Sequence, residues 1–141
     1  MELTTRQKRR AIIRWLWIPP CAILAWYGVL AVGVALNLLA TQFCSADALV
    51  GGFCTASWFQ NVERVIMVSC AGLTALAIVV VSAITAPAYR TRTAMAVFAL
   101  CVLVAIHMLT QTGAYPEFIA AVVGGLIGIF VASCLKHSID L

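Results

Sequence analysis

The chain has 141 residues, 64% of them hydrophobic and 10% charged, with a mean hydropathy of +1.06. Soluble domains carry about 25% charge and about 45–50% apolar residues, so a water-soluble fold of this size is excluded: its interior is too small to hide so much apolar surface. The net charge of +4 gathers at one end, where Arg6, Lys8, Arg9, Arg10 and Arg14 are five of the nine basic residues; a short basic run beside a hydrophobic segment reads as a topology signal rather than a nucleic-acid surface.

Four apolar segments follow, at about 15–40, 65–86, 94–110 and 118–135, none containing Asp, Glu, Lys or Arg. Each is near the ~20 residues that cross ~30 Å of hydrocarbon as a helix. The runs are continuously apolar, not alternating, and a backbone in lipid must pair its own polar groups, so helices are expected rather than barrel strands. The expected fold is therefore all-α: a single domain over 1–141, a four-helix transmembrane bundle of up-down-up-down topology with short connections.

The first segment follows the basic run and contains Pro19 and Pro20. Two forms are open: a basic interfacial helix over 5–18 that bends at the prolines into the span, or one straight helix with the prolines in its first turn. A cleaved secretory leader fits less well, because the apolar run exceeds the usual 7–15 residues. After it comes FCSADALVGGFC, a polar interruption with Cys44 and Cys54 ten positions apart. Ala46-Asp47 and Gly51-Gly52 allow this loop to turn back, and a Cys44–Cys54 disulfide is expected there. Closing a loop of this length contributes roughly 2.5–3 kcal/mol in the chain-entropy model. Ser57 and Gln60 have capping-box spacing, which starts the second helix near Trp58. Pro87 marks its end, and Pro116 and Glu117 suit the first turn of the fourth helix, where a missing N–H is harmless and a negative charge is favoured.

Orientation follows from the basic residues. With four crossings, the N-terminal run, Arg90, Arg92 and Lys136 share one side, and only Arg64 falls with the loops over 41–60 and 111–117. A bias of eight to one makes both termini cytoplasmic. Trp15, Trp17, Trp58, Tyr89 and Tyr115 fall near the expected interfaces. The loop cysteines then face an oxidising compartment, the periplasm for a protein of the bacterial inner membrane. Cys21, Cys70, Cys101 and Cys134 lie within helices and are expected as small packing residues.

Candidate chemistry is sparse. His107, in the outer part of the third segment, is the sharpest polar intrusion, and with Met67 and Cys70 of the second it offers a soft ligand set for a metal such as copper. Packing accounts for the same residues, and no Met-x-x-x-Met or Cys-x-x-Cys supports a metal. Ala120, Gly124, Gly128 and Ala132 recur every four residues, a ridge that lets another helix come close, from this chain or another. There is no phosphate loop, nucleophile elbow, HExxH or paired carboxylate, so no enzyme and no cofactor are expected.

The sequence reads best as a multi-pass membrane protein acting through helix–helix contacts, an accessory, assembly, immunity or regulatory partner of a membrane system. Its expected partners are the lipid bilayer and either another membrane protein or a second copy. The alternatives are a small oligomeric transporter or channel, for instance for a soft metal ion, and a membrane thiol-redox protein.

Overall fold

The computed structural model describes residues 5–51, 53–86 and 90–139. These form four helices: α1 (Thr5–Gln42), α2 (Ser57–Thr85), α3 (Arg90–Thr112) and α4 (Tyr115–Ile139). All four are long and apolar enough to cross a membrane. Between α1 and α2 the chain makes a 3-10 turn over Ala46–Ala48 and a small antiparallel hairpin, β1 (Leu49–Val50) and β2 (Phe53–Cys54). Gly51 stands at its turn with φ +60°, a conformation that a residue with a Cβ rarely adopts.

The helices reach beyond their apolar segments. α1 is 38 residues long, about 57 Å at 1.5 Å per residue. It passes through Pro19 and Pro20 as one helix, with both prolines in its interior. Neither proline can donate, so the carbonyls of Trp15 and Leu16 lose their usual partners four residues on. α2 begins at Ser57 with Ala56 as N-cap, and no side chain caps it. The capping box read from Ser57 and Gln60 does not form, because Ser57 already lies inside the helix, one position too late to serve as the cap. α2 ends at Thr85, with Ala86 as its C-cap; Pro87 and Tyr89 lie outside the described residues. At the end of α3 the Thr110 and Thr112 hydroxyls donate to the carbonyls of His107 and Met108. Gly113 and Ala114 alone link α3 to α4, and Glu117 falls in the first turn of α4.

α2 is the central helix. It packs on α1, α3 and α4, and α3 also packs on α4, while α1 has no comparable interface with α3 or α4 among the described residues. The arrangement is a triad, α2–α3–α4, with α1 laid against α2. No residue in the most apolar window of α1 is buried, whereas the share in α4 is 22%.

The triad is held by small residues. A Cβ on Gly124 would fall onto the Gly72 carbonyl of α2 and come within 3.0 Å of the Gly72 Cα. A Cβ on Gly72 would sit 3.1 Å from the Ala120 carbonyl oxygen, and one on Gly128 would sit 3.1 Å from the Val79 Cβ. The next residue, Gly125, faces elsewhere: a Cβ there would strike the Phe98 ring of α3. Consecutive helical residues point about 100° apart, so this glycine pair lets α4 wedge between α2 and α3. Further along, Val79, Ala83, Ala94 and Ala132 form the buried core, with Val97, Phe98 and Ile129 packed against it.

Gly124→Val should destabilise the purified chain by about 1–3 kcal/mol, the usual cost of overpacking, read as a lower thermal midpoint in detergent. Gly28→Ala is the control, since a Cβ there meets nothing within 4 Å. It should leave the midpoint unchanged or raise it, because Ala is the better helix former. Equal losses in both would contradict the assigned contact.

Candidate functional site

The hairpin carries the first group of candidate residues. Cys44 and Cys54 are joined, with an S–S distance of 2.07 Å and a Cα–Cα distance of 6.0 Å. Cys54 pairs with Leu49 across the hairpin and is buried. The Thr55 amide and hydroxyl both donate to the Ala48 carbonyl, each at 2.9 Å. Disulfide, ladder and Thr55 together tie the end of α1 to the start of α2. Phe59 is buried just inside α2, its ring edge-on to Trp58 at 5.9 Å.

The small-residue ridge meets α2 of the same chain. Ala120 and Gly124 lie against Gly72, Gly128 against Val79, and Ala132 is buried in the core beside Val79 and Ala83. The face that pointed to a neighbouring helix is thus occupied within the monomer.

The soft-ligand set is divided. Met67 and Cys70 line a groove of about 480 Å³ between α1 and α2, together with Gly33 and Asn37. Here α1 comes close enough that a Cβ on Gly33 would sit 2.9 Å from the Cys70 Sγ. His107 does not line this groove; it is exposed on α3, which has no substantial contact with α1. Among the described residues no three His, Cys, Asp or Glu side chains group to hold a metal ion.

Two features escaped the sequence reading. Trp26 and Tyr27 stand near the middle of the Trp15–Gln42 apolar stretch, with ring centroids 4.9 Å apart. They are 42% and 56% exposed on a helix whose one substantial interface among the described residues is with α2. Most hydroxyls that hydrogen-bond within these helices close onto their own backbone: those of Thr41, Thr85, Thr110, Thr112 and Ser133 each donate to a carbonyl three or four residues earlier. An aromatic ring holds its polar atom too far out for that. Among the described residues neither the Trp26 N–H nor the Tyr27 hydroxyl has a hydrogen-bond partner. The sequence signal was their mid-segment position, since such rings favour the ends of a span.

The second feature is Glu117. It lines a niche of about 170 Å³ where α2, α3 and α4 meet, among Ala71, Met108, Thr112 and Phe118. Its Oε2 is shielded and lacks a partner among the described residues, as does the Oγ of fully buried Ser82. The two cases differ. A serine hydroxyl rotates and can turn to its own helix, whereas an ionised carboxylate only accepts and needs a donor brought to it. The sequence showed Glu117 as a helix-start residue; that it would line a niche with Ala71 of α2 and Met108 of α3 was not visible.

Compared with known proteins, the chain matches no family model, no curated protein and no solved structure.

The chain has six cysteines, of which Cys21, Cys70, Cys101 and Cys134 are free. Mass-tag alkylation of the unfolded, unreduced protein should therefore add four tags, and reduction first should raise this to six. Six tags without reductant would contradict the disulfide. Cys44→Ala should lower stability by about 2–3 kcal/mol, measured as an earlier thermal midpoint.

Proposed function

We propose that this is a multi-pass membrane protein that works as an accessory or assembly partner, docking a transmembrane helix of another protein against the outer face of α1. The four apolar helices support the membrane placement. The eight-to-one bias of basic residues puts both chain ends in the cytoplasm. The disulfide-closed hairpin then faces an oxidising exterior, the compartment in which such bonds persist.

The observation that carries the docking role is the Trp26–Tyr27 pair. Near mid-span, two rings that each carry a polar atom stand 42% and 56% exposed. Hydrocarbon offers them nothing, and an unpaired polar group there costs several kcal/mol. A neighbouring helix with acceptors at that depth removes the cost. α1 is suited to this because, among the described residues, α2 is its one substantial neighbour and none of its most apolar window is buried. The small-residue ridge, which the sequence left open to a helix of this chain or another, packs on α2, the helix on which α1 rests.

A photo-crosslinking residue in place of Tyr27 should give one discrete protein adduct in intact cells. The same residue at Phe130, which is 70% exposed on α4, should give none. Adducts from both or from neither would contradict docking on α1. Trp26→Leu combined with Tyr27→Phe should weaken co-purification of that adduct partner several-fold, on the order of 0.6–2 kcal/mol per lost interhelical hydrogen bond.

The Glu117 niche favours a second reading, a small oligomeric transporter. Its carboxylate suits a hard cation rather than the soft metal suggested by His107, Met67 and Cys70. In that case vesicles containing the protein pass a monovalent cation and vesicles containing Glu117→Gln do not. Equal flux in both rejects this reading.

A further inference from the structure

We infer that the groove between α1 and α3 is a binding site for an anionic phospholipid, with the headgroup phosphate at Arg92 and an acyl chain laid toward Leu100. This rests on the membrane placement proposed above. The two helices flank each other without packing, leaving a groove of about 560 Å³. Trp15, Ile18 and Pro19 form one wall, and Arg92, Val97 and Leu100 the other. From Arg92 to Leu100 is about 12 Å along the helix, so the groove runs from the membrane surface into the hydrocarbon.

Its chemistry changes along that length. Arg92 is exposed at the end of the groove near the start of α3, and Trp15, 46% exposed, lines the same groove. Below them the lining is aliphatic, with Leu100 62% exposed. This is the profile of one lipid: charge and an amphipathic ring at headgroup level, hydrocarbon beneath.

Charge selects the class of lipid. Arg90 and Arg92 open α3 at this end of the groove, and the basic run at 6–14 leads into the α1 wall. Basic pockets between spans on the cytoplasmic side favour anionic headgroups. A zwitterionic lipid would bring its own ammonium to Arg92. A second copy in the same orientation would bring its own basic cluster to the same level. Free phosphate would meet the charge at the groove's end and leave the apolar length unfilled.

The test is native mass spectrometry of the full chain, taken from vesicles of equal phosphatidylglycerol and phosphatidylethanolamine. The wild type should retain one lipid, with phosphatidylglycerol favoured about fivefold, the ratio expected for one basic residue near an anionic surface. Arg92→Gln should remove the preference, Arg92→Lys should keep most of it, and Arg64→Gln, at the opposite end of the molecule, should leave it intact. Leu100→Trp should fill the groove and release the lipid of either class. Millimolar inorganic phosphate should not displace the lipid.

The proposal fails if Arg92→Gln and wild type retain the same lipids, if phosphate displaces the lipid, or if a second copy replaces it. A chain that inserts into vesicles yet shows any of these defeats the lipid site alone. A chain recovered free of the vesicles defeats the membrane placement, and the site with it.

Discussion

The exterior of this bundle is built from side chains that water rejects. Leu16 and Leu24 of α1, Val65 of α2, Leu100 and Leu103 of α3 and Phe130 of α4 are each more than 60% exposed, so every helix contributes to it. That surface calls for hydrocarbon around it, and hydrocarbon changes what can hold helices together. Lipid chains are as apolar as leucine, so burying a leucine between helices gains little, and close van der Waals contact must do more of the work. The Gly72–Gly124 approach answers that demand. With no side chain on either residue the α2 and α4 backbones meet directly, and Gly125 opens the neighbouring face to Phe98.

In such surroundings the polar groups that cannot satisfy themselves become informative. Threonines and Ser133 turn their hydroxyls back onto their own helices. Trp26 and Tyr27 cannot, and they stand on the helix least enclosed by the others. The Glu117 carboxylate cannot either, and it sits where three helices converge. The exposed helix α1 is what the proposed docking role rests on, rather than an enclosed pathway. The groove beside it, with Arg92 at one end and Val97 and Leu100 along its length, is the place we propose for a lipid.

Much of the fold was legible in the sequence because hydrocarbon permits few solutions. Continuous apolar runs of about twenty residues have to be helices, and the short connections force neighbours to alternate in direction. The ten-residue separation of Cys44 and Cys54 around Gly51-Gly52 likewise leaves a tight hairpin as the natural closure. Pairing between helices was not legible. A small residue every four positions says that something comes close, but Gly72, its counterpart on α2, has no such repeat around it to announce the match. His107, Met67 and Cys70 were grouped by depth. Depth fixes height in the membrane and leaves the direction around the helix open, and it is direction that sends His107 outward and Cys70 toward α1. Ser57 failed as a cap for a related reason: a one-residue shift in where a helix starts is invisible in composition and decisive for a hydroxyl.

The central claim is that the chain crosses a membrane four times with its hairpin outside and both ends inside. It is tested most directly by labelling intact cells with a membrane-impermeant maleimide after placing a single new cysteine in a cysteine-free background. The account predicts that Asp47→Cys is labelled from outside, and that a cysteine added after Leu141 is labelled only once the membrane is opened. Labelling of the chain end in intact cells, or protection of position 47, would contradict it.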